Sequence, residues 1–173
     1  GEATKISAFL LDADKQYRTP CLLGVETDSG DSEGRVTVQR PVPEVLDRGV
    51  VETTLERFRG EIDQTPPMYS ALKHQRHPLY RLAGQGQVVE RASRRVSIRH
   101  MELLALELPY LELEVECSKG TYIRSLVEDI GRELSCGAHV VELRRLASQP
   151  FAGLPMYSLP QLDEVMASGG MDA

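Results

Sequence analysis

Residues 111–117 read Leu-Glu-Leu-Glu-Val-Glu-Cys, and residues 122–134 read Tyr-Ile-Arg-Ser-Leu-Val-Glu-Asp-Ile-Gly-Arg-Glu-Leu. The alternation of apolar and acidic residues in the first stretch predicts a strand with one buried face, because successive side chains of a strand point to opposite faces. In the second stretch, apolar residues recur at helical spacing from Ile123 to Leu134, which predicts an amphipathic helix. This strand and helix are the two elements that the sequence predicts most clearly.

The remaining sequence predicts shorter elements. Paired prolines remove backbone donors and restrict the residue before them, so residues 64–69 cannot form regular structure. Glycines and polar side chains make residues 27–34 a loop. Residues 140–146 fit a strand or a helix, and their short length favours a strand. The other predicted elements are strands at 21–25, 35–39 and 96–108 and helices at 50–58 and 79–83. The order predicts an α+β fold with a mixed or antiparallel sheet and flanking helices.

The composition is that of an ordinary globular domain. With 173 residues, 41% of them apolar and 27% charged, the chain is long enough for one domain with a core. No apolar run is long enough to cross a bilayer, and residues 1–15 have no signal-peptide pattern. The three cysteines are widely spaced and form no CxxC pair, which argues against a disulfide framework and a zinc site. These features predict a cytoplasmic protein without a metal site.

The charge is distributed unevenly along the chain. Between Lys73 and His100, seven Lys or Arg residues accompany one acid, Glu90, so this stretch carries +6. Because the whole chain carries −6, the remaining residues carry −12. A concentrated basic segment on an acidic body can bind phosphates, since the local field governs contact. A solvated surface would give the same pattern.

Two stretches in the first half of the chain suit nucleic-acid binding. Tyr17 stands between Lys15 and Arg18, where a base can stack while its phosphates are held. A partly buried tyrosine at the start of a strand would give the same pattern. Residues 66–73 join rigid prolines to an aromatic residue and to the basic segment. They fit an RNA-gripping loop and an ordinary surface loop equally well.

Two further stretches accompany the strong helix. A strand-to-helix junction offers backbone N–H groups to anions, and Arg124 can hold a carboxylate in a two-pronged pair. The alternative is a helix capped by Ser118 or Thr121 beside an exposed arginine. His139, in residues 138–147, is by itself more often a core or surface histidine than a catalyst. These residues alone therefore predict an α+β domain that is a candidate for RNA binding, and they identify no nucleophile or general base.

Taken in order, six segments resemble the bacterial tRNA pseudouridine synthase B family. They are GEATK (1–5), DADKQYR (12–18), the G-x-x-T-D-S-x-D-x-x-G loop (24–34), FRGEIDQTPPMYSALK (58–73), CSKGTYIRSLVEDIG (117–131) and CGAHVVELRRLA (136–147). The resemblance extends to about Leu162. It implies an enzyme that isomerises the T-loop uridine of tRNA, the Ψ55 position, without a cofactor. An aspartate carboxylate attacks the flipped nucleotide in this family.

The resemblance also implies roles for individual residues. Tyr17 would stack on the flipped uracil, with a candidate role in removing the C5 proton, and Tyr122 would line the same pocket. Arg124 would pair with the catalytic carboxylate, and Leu143 would close the apolar side. A flipped base needs an aromatic face, and a carboxylate nucleophile needs a cation that keeps it ionised. The residues expected to contact RNA are Lys15, Arg18, Lys73, Arg91, Arg94, Arg95, Lys119 and Arg145.

The chain also departs from the family pattern. The family's G-G-x-L-D-P-x-A-T-G motif, which holds the catalytic aspartate, normally lies shortly before GEATK. None of four aspartates, namely Asp12, Asp14, Asp28 and Asp129, stands in an LDP context. We therefore expect the nucleophile and the family's C-terminal PUA-like domain to lie outside this chain, and the chain alone to be inactive. Arg76 occupies a place where the family often has Gly, and Gly84 one where it often has Arg.

The expected organisation is a partial catalytic domain at 1–162, with a basic insert at about 69–100, followed by a tail or linker at 163–173. The expected partner is the T-stem-loop of tRNA, bound by a monomer with no membrane contact. A non-catalytic module that binds tRNA or aids its folding is the alternative function.

Overall fold

A computed structural model describes residues 13–149, 151, 153–154 and 157–168. The GEATK segment and Asp12 lie outside these residues. In chain order the described elements are β1 (Lys15–Leu23), β2 (Val25–Thr27), β3 (Val36–Gln39), α1 (Arg48–Glu56), β4 (Gly60–Gln64), β5 (Lys73–His74), β6 (His77–Pro78), α2 (Leu79–Gly84), β7 (Arg94–Glu107), β8 (Tyr110–Cys117), α3 (Ile123–Glu133), β9 (Ala138–Val140), β10 (Arg144–Ser148) and α4 (Leu159–Ala167).

The central element is an antiparallel sheet in the order β10-β1-β8-β7-β4, with β9 paired to the far end of β1. Strands β7 and β8 form its long middle hairpin, and β1 pairs with β8 along its length. Two small hairpins, β2-β3 and β5-β6, lie outside this sheet. The predicted α+β fold with an antiparallel sheet and flanking helices is confirmed.

The core lies where the predicted strand and helix meet. Every second residue of β8, including Leu113 and Val115, is fully buried, as the alternation predicted. Leu126 and Ile130 of α3 belong to the same buried cluster, which Leu55 of α1 also joins. Each such side chain contributes about 1.5–3 kcal/mol when it leaves water. This cluster fixes α3, and therefore the residues at its N-terminus, against the sheet.

Two predicted strands differ from the structure by more than one or two residues at their ends. The strand predicted at 21–25 begins at Lys15, so Pro20 lies inside β1. The single strand predicted at 140–146 is two short strands, β9 and β10, separated by residues 141–143. The break between β9 and β10 lies opposite Pro20, which has no N–H to donate toward these strands. Its carbonyl accepts from the Val141 N–H at 2.9 Å, and the pairing resumes as β10 beyond the gap.

The predicted insert contains the β5-β6 hairpin and α2. Arg94 and Arg95 lie in β7, so the stretch from Arg94 to His100 belongs to the central sheet. The predicted boundary at Leu162 falls inside α4. No helix within the described ranges is long and apolar enough to span a membrane.

The three cysteines are buried, as small core residues would be. Burial raises the pKa of Cys21 to about 12 and that of Cys117 to about 11. Thiols with such pKa values are poor nucleophiles near neutral pH. In the parts of the chain that the structure describes, no group of three His, Cys, Asp or Glu side chains could hold a metal ion.

Candidate functional site

The first turn of α3 carries two of the predicted pocket residues. Tyr122 is the N-cap residue and Arg124 lies in the first turn, as predicted. Neither Ser118 nor Thr121 caps the helix: the Ser118 hydroxyl accepts from the Ser97 N–H, and the Thr121 hydroxyl donates to the Ser118 carbonyl. The capping alternative is therefore wrong. The Tyr122 backbone is held instead by Gln64, at the end of β4.

Arg124 is the centre of a hydrogen-bond network. One guanidinium nitrogen donates to the Ser29 carbonyl and to the Asp31 carboxylate, each at 3.0 Å. The other donates to the Tyr69 carbonyl at 2.7 Å. The Arg124 side chain is only 22% exposed, so the exposed-arginine alternative is also wrong. Arg124 therefore joins α3 to the loop at 28–34 and to the beginning of the insert.

Asp31 is held by its own loop as well as by Arg124. Its carboxylate accepts from the Ser29 hydroxyl at 2.6 Å and from the Glu33 N–H at 3.2 Å. These contacts aim the Asp31 carboxylate at the guanidinium. Arg124, Asp31 and Tyr69 line a cleft of about 290 Å³.

The same loop approaches α3 closely at Gly30. This residue has a φ of +77°, and a Cβ there would lie 2.8 Å from the Glu128 Oε1. Burial, with a smaller contribution from the Asp129 carboxylate, raises the pKa of Glu128 to about 7, although Arg132 and Arg124 oppose the shift. The positive φ therefore favours glycine here, and a side chain at this position would press on the Glu128 carboxylate and on the Arg124 Cβ, which would lie 3.2 Å away.

Tyr17 lies on β1 beside β10. The guanidinium of Arg145 lies 6.0 Å from the centroid of the Tyr17 ring, within the range of a cation–π contact. Burial raises the pKa of the Tyr17 hydroxyl above its usual value of 10.0, and the Arg145 charge offsets part of that increase. Tyr17 also packs against the core cluster. It is thus a partly buried tyrosine near the start of a strand that also presents its ring to a cation.

Tyr122 forms a second aromatic–cation pair. The guanidinium of Arg94 lies 5.4 Å from the centroid of its ring. Arg94 also lines a cavity of about 400 Å³ together with Lys73 and Arg91. The structure therefore groups three of the cations expected to contact RNA in one place. Arg91 further donates to the Pro66 carbonyl at 3.0 Å.

Other predicted RNA contacts already have protein partners. Arg18 lies 3.6 Å from the Glu114 carboxylate and 3.9 Å from that of Glu112. Arg95 pairs with Asp63 at 3.3 Å, on the surface.

The remaining predicted site residues lie in connections or at the strand edge. The Lys15 ammonium donates to the Ala13 carbonyl at 2.7 Å. Lys119 is exposed between β8 and α3. Leu143 is 43% exposed in the connection between β9 and β10, two residues before Arg145. The structure thus divides the predicted site into an Arg124 cleft, a Tyr17–Arg145 pair and a Tyr122–Arg94 pair.

Comparison with known proteins identifies the family. Residues 1–123 match the family model described as the N-terminal domain of TruB family pseudouridylate synthases, and residues 124–172 match that of the tRNA pseudouridylate synthase B C-terminal domain. The chain belongs to the TruB family of pseudouridylate synthases. It is 56% identical over 168 residues to tRNA pseudouridine synthase B of Chromohalobacter salexigens, and 56% identical over 173 residues to that of Ectopseudomonas mendocina. The sequence-based resemblance is confirmed.

The alignments cover 97% and 100% of this chain but 54% and 56% of those two proteins, so the TruB-family chain spans about half their length. A solved structure titled as a Cbf5-Nop10-Gar1 complex is similar to 99% of this chain and 42% of its own, with a TM-score of 0.67 and 27% identity. A structure of an H/ACA RNP bound to a substrate RNA shares the fold at 23% identity, with a TM-score of 0.65. The predicted pseudouridine synthase fold is confirmed.

Two residues of this region were missed in the sequence analysis. Asp31, the partner of Arg124, is the second acid of the Thr-Asp-Ser-Gly-Asp run, and its position in a motif-like loop was the available signal. Gln64, which is fully buried, stands beside the Thr-Pro-Pro stretch. Only the tertiary structure brings it to Tyr122, because 58 residues separate the two.

Proposed function

We propose that the protein containing this chain is a tRNA pseudouridine synthase that converts the T-loop uridine at position 55 to pseudouridine. The arrangement around Arg124 carries this proposal. Its three hydrogen bonds to Ser29, Asp31 and Tyr69 hold the guanidinium in place. A guanidinium has five N–H donors. Three of them are used in these hydrogen bonds, so two remain for a further carboxylate. A fixed cation at the edge of an open cleft suits a carboxylate nucleophile.

The proposed nucleophile is an aspartate supplied from outside this chain. Its carboxylate bonds to the flipped nucleotide, the N-glycosidic bond breaks and the uracil turns. C5 then bonds to the ribose as the carboxylate is released, and the proton lost from C5 is matched by one gained at N1. The product contains the same atoms as the substrate, so the reaction balances without a cofactor. Tyr17 provides the stacking face for the uracil, Tyr122 lines the pocket, and Leu143 closes its apolar side.

RNA binding in this proposal depends on the local positive field. Lys73, Arg91 and Arg94 surround one cavity, and Arg145 accompanies Tyr17. Cations beside aromatic faces can hold the phosphates on either side of a stacked base.

The test uses the full-length protein and a T-stem-loop RNA carrying tritium at C5 of the target uridine. Conversion releases the tritium, and RNA affinity is measured separately. Tyr17→Ala removes a stacking face worth about 1–3 kcal/mol and is expected to lower both affinity and rate. Tyr17→Phe keeps the ring and is expected to retain affinity, so its rate measures what the hydroxyl contributes to proton transfer.

The matched control is Tyr110→Ala, which removes an exposed tyrosine of β8. It is expected to behave like the wild type. Wild-type rates in Tyr17→Ala would contradict the assignment of the pocket. Tight T-stem-loop binding by the wild-type protein without tritium release would favour the non-catalytic module.

A further inference from the structure

The position of Gln64 has an unusual combination of properties. Its side chain is fully buried, although it is polar. Its Oε1 accepts from the Tyr122 N–H at 2.8 Å, and its Nε2 donates to the Tyr122 carbonyl at 3.0 Å. Both ends of the amide are therefore used on one residue. A buried amide is costly when its polar atoms lack partners, and here the backbone of Tyr122 provides a partner for the amide nitrogen and for the amide oxygen.

The strand neighbour of Gln64 contacts the same tyrosine. Gln64 and Arg94 are direct partners in the β4-β7 pairing. The guanidinium of Arg94 lies over the Tyr122 ring, 5.4 Å from its centroid. One member of this cross-strand pair thus holds the backbone of Tyr122, and the other contacts its side chain.

The contact that α3 itself makes to the Tyr122 backbone is at the carbonyl, which also accepts from the Leu126 N–H at 3.1 Å. Tyr122 is the N-cap residue in an extended conformation, with φ −100° and ψ 109°, and no side chain caps the helix there. Extended backbone just before a helix has fewer local hydrogen bonds to fix it. The direction in which the Tyr122 ring leaves the backbone then depends on the contacts from β4 and β7.

We propose that Gln64 is a positioning residue that holds Tyr122 in the substrate pocket, with Arg94 as its partner on the ring. This inference rests on the proposed function, in which Tyr122 contacts the flipped nucleotide. Gln64 itself is buried and acts through Tyr122. A displacement of about 1 Å in a pocket residue can lower a rate about 100-fold, so fixing the Tyr122 backbone has a direct kinetic consequence.

The first experiment measures single-turnover rates and RNA affinity with the full-length protein. Gln64→Met keeps the length of the side chain and removes both hydrogen bonds. We expect its rate to fall by about 100-fold. RNA affinity should change by less than about threefold, because phosphate contacts dominate affinity and the buried Gln64 side chain makes none of them. A wild-type rate in Gln64→Met would overturn the proposal.

The matched control is Ser125→Ala, on the same turn of α3. The Ser125 hydroxyl donates to the Thr65 carbonyl at 3.1 Å, so this change also removes a hydrogen bond between α3 and the segment at the end of β4. The hydrogen bond that it removes ends on Thr65 and not on Tyr122. If the Gln64 contacts were merely structural, the two variants would lose rate in proportion to their loss of thermal stability. Positioning predicts a loss of rate in Gln64→Met alone.

A double-mutant cycle separates this inference from the proposed function. If Gln64 acts through Tyr122, Gln64→Met should have no additional effect on the rate in a Tyr122→Ala background. Full additivity would overturn the positioning role and leave the role of Tyr122 intact. A wild-type rate in Tyr122→Ala would instead contradict the proposed pocket, and the positioning role would fall with it.

Gln64→Glu gives a second measurement that does not depend on how well Gln64→Met folds. A carboxylate here would accept from the Tyr122 N–H, but its second oxygen would face the Tyr122 carbonyl. Protonation restores a donor, and burial raises the pKa of such a carboxyl. The rate of Gln64→Glu, relative to the wild type at each pH, should therefore rise as pH falls from 8 to 6. A ratio that stays constant from pH 9.5 to pH 5, the range in which a buried glutamate titrates, would overturn the proposal.

Discussion

The first turn of α3 and the basic insert contain similar residue types, but the structure uses them differently. Arg124 is mostly buried, and its hydrogen bonds join three separate segments. In the insert, Arg76 and Arg81 are exposed, and α2 has six residues, of which Leu79 is the buried one. Buried cations with several partners fix geometry, whereas exposed cations on a small, weakly packed unit contribute mainly to the electrostatic field.

The largest expected difference between the two regions is in stability. Arg124→Met leaves the Asp31 carboxylate and two carbonyls without their donor, and we expect the free energy of unfolding to fall by about 2–3 kcal/mol. Arg81→Met removes an exposed cation of the insert, and the expected change is below about 0.5 kcal/mol. Urea denaturation of the full-length variants measures both values. Equal losses would show that the contrast between the two regions is wrong.

Glu128, under the loop that holds Asp31, gives a smaller and pH-dependent effect. Burial raises its pKa to about 7, from 4.5 for an ordinary glutamate. The folded protein therefore binds a proton more tightly than the unfolded chain, so stability falls as pH rises from about 4.5 to 7. Glu128→Gln should remove this loss and stabilise the protein at pH 8. A gain of about 2 kcal/mol is expected, allowing for the carboxyl's remaining exposure.

Chemical denaturation at pH 5 and at pH 8 tests this prediction. The control is Glu133→Gln, which removes an exposed carboxyl of the same helix. The pH dependence should weaken in Glu128→Gln and persist in Glu133→Gln. If both variants keep the wild-type pH dependence of stability, the titration of Glu128 does not cause it.

The strongest elements of the fold could be predicted because their signals are local. The alternation of apolar and acidic residues in β8 and the helical spacing of apolar residues in α3 indicate which faces are buried, and the structure confirms both. The break between β9 and β10 could not be read from residues 140–146. It depends on Pro20, which lies on the neighbouring strand and is distant in sequence.

The candidate site shows the same contrast between local and long-range signals. The positions of Tyr122 and Arg124 at the start of α3 were predictable because they follow a strand-to-helix junction. Their partners Gln64 and Asp31 were not, because hydrogen bonds across 58 and 93 residues leave no periodic pattern in the sequence. The charge pattern also could not separate Arg95, which pairs with Asp63, from Arg94, which lies over an aromatic ring.

The smallest expected effect is in the β5-β6 hairpin of the insert. Its two-residue turn consists of Gln75 and Arg76, with φ values of +49° and +71°. Such turns need positive φ at both positions, which favours Asn or Gly. Left-handed backbone costs a non-glycine residue about 1–2 kcal/mol. Glycine avoids this cost, but it makes the unfolded chain more flexible, which lowers the free energy of unfolding by about 0.4–1 kcal/mol. Arg76→Gly should therefore stabilise the hairpin by about 0.5–1 kcal/mol.

Arg76→Ala separates this turn effect from the loss of charge. Both variants remove the same cation, so if Arg76 contacts a phosphate each should reduce the log–log salt slope of RNA binding by about 0.7–0.9. Only Arg76→Gly relieves the backbone. Hydrogen exchange at the Leu79 N–H, which donates to the Leu72 carbonyl at 2.7 Å, reports closure of the hairpin. Stronger protection in Arg76→Gly than in Arg76→Ala is the expected result, and equal protection would show that Arg76 does not strain this turn.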